Sequence, residues 1–469
     1  MNTRYNKHFI IGFSILTLTA CVAKKYERPA LNSNGLYRNE STEIAGDSTT
    51  IADLPWKSLF TDATLQTLIE QGINENLDLK QAVERIKIAE ATLYQNRSAL
   101  LPSLSADLSV TDAKQSRAAL NFPPGININT ETQTYRAQLS STWEADIWGR
   151  LSSAKRSAYA SLLQTDAAKR AVQTQLIASI ANSYYSLLAL DQQLAITEQT
   201  IKSREQGVET MKALKEGAVV NGAAVVQSEA SLYAAQVTLP DLRRNIRETE
   251  NALSILLGKG AGSVARTTLD QQQTYSDLRT GVSAQLLQNR PDVQAAEFAF
   301  RAAFENKNVA RASFYPALTL TANGGLSTLD LKSFFDNSIF YNLIGGLSQP
   351  IFNRGLNKAR LKTAEAQQQI AFYEFQKSLL TSGQEVSNAL FSYQTAVEKE
   401  TTRAKQVAAL TKAVDFTKEL LRYSSATNYT DVLTSEQSLL AAQLSSTSDR
   451  LQKLQSVVNL YRALGGGWK

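Results

Sequence analysis

Two side chains suited to nucleophilic or metal chemistry occur once each in the 469 residues, His8 and Cys21. Both stand at the start of the chain. Arg4 and Lys7 precede a short apolar run, residues 9–20, too short to cross a membrane as a helix. That is the pattern of a signal segment rather than of the fold. Its removal takes away His8, the imidazole that Ser-His-Asp or Cys-His machinery and His/Cys zinc sites would need. No Walker-type loop or dinucleotide fingerprint occurs, so no cofactor is expected. No pair of carboxylates is singled out for acid–base work, and an enzyme is not expected. Lys and Arg outnumber Asp and Glu by 49 to 43, but they are spread along helical patterns. Solvated helix faces have that distribution, and nucleic-acid patches do not.

Leu18-Thr-Ala-Cys21 resembles the bacterial lipoprotein signal, in which a small residue precedes a cysteine that is lipidated and becomes the new N-terminus. The resemblance implies a lipid on Cys21. Val22, rather than Asp, after it implies delivery to the outer membrane of a Gram-negative cell. An ordinary signal peptide with an incidental cysteine is the alternative. Residues 22–60, with Pro29, Pro55 and a polar stretch around 41–50, read as an extended lead pinned to the body by Trp56 and Phe60.

The elements behind this lead are dominated by two very long helical stretches. Residues 356–423 contain no proline and one glycine, Gly383, and are rich in good helix formers. A helix of that length extends on the order of 100 Å. Val386, Tyr393, Val407, Val414 and Leu421 share a seven-residue register interrupted by Glu400, which implies winding against a neighbour. Residues 151–216 repeat the feature, with Ile180, Leu187, Leu194, Ile201 and Val208 on a register shifted by 206. Ser228-Glu-Ala-Ser-Leu-Tyr-Ala-Ala-Gln236 also reads against Ser435-Glu-Gln-Ser-Leu-Leu-Ala-Ala-Gln443. The chain is therefore a tandem duplication, with a period far too long for a solenoid.

Ahead of each long helix the pattern changes to alternation. Leu104, Ala106, Leu108 and Val110 share one face of a strand. Tyr135, Ala137, Leu139, Trp143, Ala145 and Ile147 share one face of another, with Ser141 the one polar residue among them. A polar segment containing Asn121-Phe-Pro-Pro-Gly125 reads as an exposed loop between them. In the second copy Leu318, Leu320 and Ala322 alternate with Thr319, Thr321 and Asn323. A glycine-rich segment, 340–351, follows with poor alternation. These runs have the length of tilted membrane strands, and aromatics lie near their ends. A soluble hairpin gives the same alternation.

The expected fold is α+β, a tandem unit of helix, β-hairpin, long helix and return helix. Its divisions are 1–21 (signal), 22–60 (extended segment), 61–258 (first repeat), 259–283 (linker) and 284–469 (second repeat). A break is expected near Gly72 in the helix after residue 61, and a kink at Pro240 in the first return helix. Four strands cannot close a membrane barrel, which needs about eight, and open edges are not tolerated in hydrocarbon. If the strands span a membrane, several chains must share one barrel, and the long helices then surround the same axis.

The sequence resembles the TolC family of outer-membrane efflux channels, in its lipoprotein (NodT-like) branch. The resemblance rests on the Cys21 motif, Trp143-Glu-Ala-Asp-Ile-Trp-Gly-Arg150, Arg290-Pro-Asp-Val-Gln-Ala-Ala-Glu297, Gln349-Pro-Ile-Phe-Asn-Arg-Gly355 and Tyr461-Arg-Ala-Leu-Gly-Gly-Gly-Trp468. It implies a homotrimer with a twelve-stranded barrel and a helical tunnel, passive, opened by a periplasmic adaptor and powered by an inner-membrane pump. It also implies a gate at the far end of the tunnel. The candidate residues are Arg422, Tyr423 and Asp431, beside the turn 424–428, because a charge there recurs three times in a narrow ring. Arg422-Tyr423 is followed by Ser-Ser-Ala426, where the family usually has glycine soon after. Charges that merely suit helix ends are the alternative reading of Arg422 and Asp431. A surface-anchored coiled-coil rod and a periplasmic adaptor are the alternatives for the whole chain.

Overall fold

The computed structural model describes residues 23–30, 36, 51–120, 129–273, 287, 290–423 and 428–468. After a helical turn at Trp56–Leu59 come α1 (Ala63–Glu75), α2 (Leu77–Ser98), β1 (Ser103–Lys114), β2 (Glu131–Ala145), α3 (Arg150–Glu216), α4 (Gly222–Gln236) and α5 (Thr238–Leu256). The order then runs α6 (Pro291–Ala312), β3 (Ala317–Thr328), β4 (Ile339–Ser348), α7 (Leu356–Tyr423) and α8 (Tyr429–Ala463). The expected long helices are therefore present, 67 and 68 residues in α3 and α7. Among the described residues no helix is long and apolar enough to cross a membrane.

The chain divides into two compact units. The first holds all four strands and the helix segments that adjoin them. Its sheet has the order β1-β2-β3-β4, and every pair is antiparallel. The segment from Ala23 to Ala30 docks on α6 in the same unit. Asn308 donates to the Lys24 carbonyl at 2.9 Å, Arg28 pairs with Glu297 at 2.6 Å, and Tyr26 lies edge-on to Phe300 and Phe304. Arg156 of α3 reaches the buried Glu305 at 3.0 Å, which fastens α3 to α6.

The second unit is helical. Trp56 and Phe60 are buried, Phe60 meets Tyr461 edge-on at 6.3 Å, and Tyr461 donates to the Leu54 carbonyl at 2.8 Å. The lead is thus pinned as its aromatics predict. Asp62 caps α1 through Thr64 N and Leu65 N. Its other oxygen accepts from Tyr184 (2.7 Å), Thr267 (2.6 Å) and Gln272 (2.7 Å), tying α1, α3 and the segment after α5 together. Burial alone would raise the Asp62 carboxyl; these hydrogen bonds outweigh it and hold the group below its ordinary value.

Three local expectations need correction. The break between α1 and α2 falls at Asn76, not at Gly72. Asn76 Oδ1 accepts from Leu79 N at 3.0 Å and its amide donates to the Leu256 carbonyl at 3.0 Å, so this residue ends one helix and starts the next. Gly72 stays helical, and its missing Cβ makes room for the Ile180 side chain. The first return helix is not one kinked rod but two helices, parted at Val237. The ring of Pro240 collides with a helical carbonyl four residues back, at Gln236, where α4 ends. Its counterpart α8 has Thr447 there and runs unbroken for 35 residues. Finally, the five apolar positions of the first register are expected to be buried alike; Ile180, Leu187, Ile201 and Val208 are buried, but Leu194 is half-buried. The interrupting Glu400 is explained by Lys453 of α8, 2.7 Å away.

Candidate functional site

The register of the sheet decides which residues share a face. Leu104 lies opposite Ser141, Ala106 opposite Leu139, Leu108 opposite Ala137 and Val110 opposite Tyr135. The next pairings put Leu139 opposite Gly324, Trp143 opposite Leu320 and Ala145 opposite Leu318. The last put Leu318 opposite Leu347, Ala322 opposite Leu343 and Leu326 opposite Ile339. The four alternations therefore fall on one face, an arrangement that a slip of one residue in any pair would break. That face is bare: Leu108 is 85% exposed, Leu104 74%, Leu343 73% and Leu347 68%. A continuous apolar surface of this kind marks contact with lipid or with another protein. The glycine-rich segment joins the alternation because its register with β3 puts Ile339, Tyr341, Leu343 and Leu347 on this face, and β4 begins at Ile339, one residue earlier than its sequence suggests.

The opposite face is polar. One row reads Ser105, Ser140, Asn323, Asn342, with Ser140 donating to Asn323 at 2.6 Å. Phe340 and Ile344 are the large apolar side chains on this face, which also carries Ala113 and Ala317. Both outer strands, β1 and β4, leave an edge unpaired within the chain.

The motifs around the strand ends are joints. Asp146 accepts from Leu151 N (2.9 Å) and Ser152 N (2.7 Å), capping α3 directly after β2. Trp148 donates to the Pro316 carbonyl at 2.7 Å and stacks on Tyr315. At the start of α7, Gln349 donates to the Phe314 carbonyl and Asn357 to that of Ser313. In the helical unit, buried Arg290 binds Asp292, Glu385 and the Ala463 carbonyl. The motif residues at these joints thus fix directions of the chain.

At the far ends of the long helices lies a second cluster. Tyr429 Oη and Ser228 Oγ are 2.7 Å apart, linking α8 to α4. Lys418 pairs with Glu436 at 2.7 Å, and Lys212 with Glu229 at 3.8 Å. These two rungs are copies of each other under the internal duplication, a signal that could have identified them from sequence. Arg204 is buried, donates to the Ser231 carbonyl at 2.6 Å and leaves its Nε without an acceptor. Burial pulls its guanidinium below the ordinary value, against the opposing charges of Glu436 and Tyr429.

Of the sequence-selected residues, Cys21 and positions 424–427 lie outside the described residues, as does the loop around Asn121–Gly125. Arg422 and Tyr423 end α7, both exposed. Asp431 stands in the first turn of α8, where its carboxylate accepts from Asn428 N while Asn428 accepts from Asp431 N. Helix capping is therefore a present role of Asp431.

The family model described as outer membrane efflux protein matches residues 68–259 and 282–466. The chain is 32% identical to the probable efflux pump outer membrane protein TtgC of Pseudomonas putida, over 89% of this chain and 86% of that protein. It is 27% identical to the cation efflux system protein CusC of Escherichia coli O157:H7, over 97% of each. Among solved structures, the open state of the Neisseria gonorrhoeae MtrE outer membrane channel superposes with a TM-score of 0.84. That match is at 26% identity, covering 95% of this chain and 98% of that one. On the family match across both repeats and the 32% identity to TtgC, the chain belongs to the outer membrane efflux protein family.

Proposed function

We propose that three copies of this chain close one twelve-stranded barrel in the outer membrane, and that the assembly is a passive export duct. Membership of the family makes the chain the outer-membrane channel component of an efflux system. The observation that carries the shared barrel is the sheet itself. It presents one largely apolar face, interrupted at Ser141, one polar face and two unpaired edges. In hydrocarbon the apolar face is satisfied, but the edges are not, and one chain's four strands are too few to curl onto themselves. Copies of the same chain supply β4-to-β1 pairs. Three copies give the strand number that the family resemblance implies.

Lipidation of Cys21 is part of this reading. Ala23 packs beside Gly149, in the joint between β2 and α3. Cys21 is two residues earlier in the sequence. This supports the lipoprotein branch. A periplasmic adaptor and an inner-membrane pump are the proposed partners. The gate is proposed at the ends of α3 and α7, formed by Arg422, Tyr423 and Asp431 and held by the Tyr429–Ser228 and Lys418–Glu436 links. The repeat division 61–258 and 284–469 remains the proposed domain arrangement.

Native mass measurement of the detergent-purified protein, followed by planar-bilayer recording, tests the reading. Three chains and ion-conducting pores are expected. A stable non-conducting monomer would overturn it.

A further inference from the structure

Phe340 is the aromatic that breaks the polar face of the sheet, and the structure gives it a partner. Arg136 of β2 holds its Cζ 5.2 Å from the centroid of the Phe340 ring on β4. The two residues are separated by β3, where Gln138 and Phe340 both pair with Gly325. A Cβ at Gly325 would overlap the Ala137 carbonyl, so this position must be glycine for β2 and β3 to approach. The bare backbone there lets an aromatic ring from the next strand lie across it.

Arg136 is exposed and forms no hydrogen bond or ion pair with any described residue. The nearest carboxylate in register on this face is Asp107, which lies opposite Gln138. Asp107 accepts from Ser105 at 3.4 Å on its own strand β1, while Arg136 leans across β3 over Phe340 of β4, the side of the sheet away from β1. The other acidic residue of the polar face, Glu144, is taken by Arg150. Arg136 therefore offers its N–H donors uncompensated, from a guanidinium seated against an aromatic ring.

We propose that Arg136 and Phe340 form a binding step for anionic solutes on the polar face of the sheet, and that planar aromatic anions are held longest. A sulfonate or carboxylate accepts from the guanidinium edge. An aromatic ring stacks on the Arg136–Phe340 pair, which already supplies a cation over a π-face. An aliphatic anion has only the first contact. The step rests on the reading of the sheet as part of a shared barrel, whose lumen the polar face then lines. There the pair recurs once per chain.

The test is single-channel recording of the full-length assembled protein, with naphthalene-2-sulfonate added on the barrel side and methanesulfonate as control. The wild type should show discrete current reductions with naphthalene-2-sulfonate and only unresolved ones with methanesulfonate. R136E should abolish them, R136K should keep a weakened form, and F340A should shorten their dwell time by about threefold or more. Lumenal substitutions of this kind change selectivity with little effect on barrel stability. Unchanged events in R136E, equal effects of the two sulfonates, or a conducting wild type without events would each overturn the proposal. A wild type that does not conduct would instead remove the duct reading on which it stands.

Discussion

Arg150 grips Glu144 with both teeth of its guanidinium, Nε to Oε1 at 3.0 Å and Nη2 to Oε2 at 2.6 Å. The pair closes the corner at which β2 becomes α3, and Asp146 caps the helix from inside that corner. Both partners are partly exposed, so the pair alone is worth about 1 kcal/mol. Removing the Asp146 cap costs a further ~1 kcal/mol. A double-mutant cycle with E144A and R150A, read by thermal unfolding in detergent, should return a coupling of that size. D146A should lower the midpoint on its own. A cycle with zero coupling would make the corner a matter of backbone geometry alone.

The apolar seam of α3 predicts a contrast between two leucines of one register. Leu187 is fully buried, whereas Leu194 is half-buried. Leu187→Asp buries an unpaired carboxylate and should cost at least about 3 kcal/mol, with loss of assembled protein. Leu194→Asp leaves its carboxylate near water and should cost clearly less. Yields of heat-resistant oligomer from the two variants make the comparison. Equal losses would mean that a neighbouring chain covers Leu194.

That contrast shows how far the sequence could be read. The ends of α7 were legible to the residue, because residues 356–423 contain no proline and polar turn residues follow Tyr423. The faces of β1, β2 and β3 were legible from period-two alternation. The depth of each seam position was not, since a seven-residue register names a stripe without stating what covers it. The helix break at Asn76 was missed because a glycine four residues earlier is the stronger local signal. Only the distant carbonyl of Leu256 makes Asn76 the corner. Phe340 was legible as an aromatic near a strand end. Its partner Arg136 lies two strands away and is set by register, which no single strand encodes.

Asp62 predicts a pH dependence. Its folded-state carboxyl is held below the ordinary value by Tyr184, Thr267 and Gln272, against the desolvation that would raise it. The sign follows from that direction. The stabilisation is present above the unfolded value, about 3.9, and is lost as pH falls through the lower folded value. D62N keeps the side-chain shape but not the charge. It should destabilise the protein at neutral pH by about 2 kcal/mol. Its acid unfolding limb should also be shallower than that of the wild type below pH ~4. Parallel limbs would show that other carboxylates govern acid unfolding.

Lipidation can be checked directly. C21S should abolish labelling by a clickable palmitate while the chain is still exported. Equal labelling of the variant would end the assignment of Cys21.

The helix ends allow two gate contributions to be separated. Tyr429–Ser228 and Lys418–Glu436 hold α8 to α4 and to the end of α7 within one chain. Arg422 and Tyr423 stand exposed beyond them. Y429F combined with S228A removes an internal link and no charge, so the fraction of open events should rise while ion preference stays the same. R422A combined with D431A removes a pair of opposite charges from each chain at the proposed mouth. Single-channel conductance should rise and cation preference should loosen. The same variant also loses the Asp431 half of the α8 capping box, worth about 1 kcal/mol, so its stability must be measured alongside. D431N separates the two effects, because it keeps a capping acceptor and drops the charge. If D431N and the R422A/D431A variant both conduct as the wild type does, Asp431 is a helix cap and Arg422 a solvated helix end. The internal links would then be the only lock left to test.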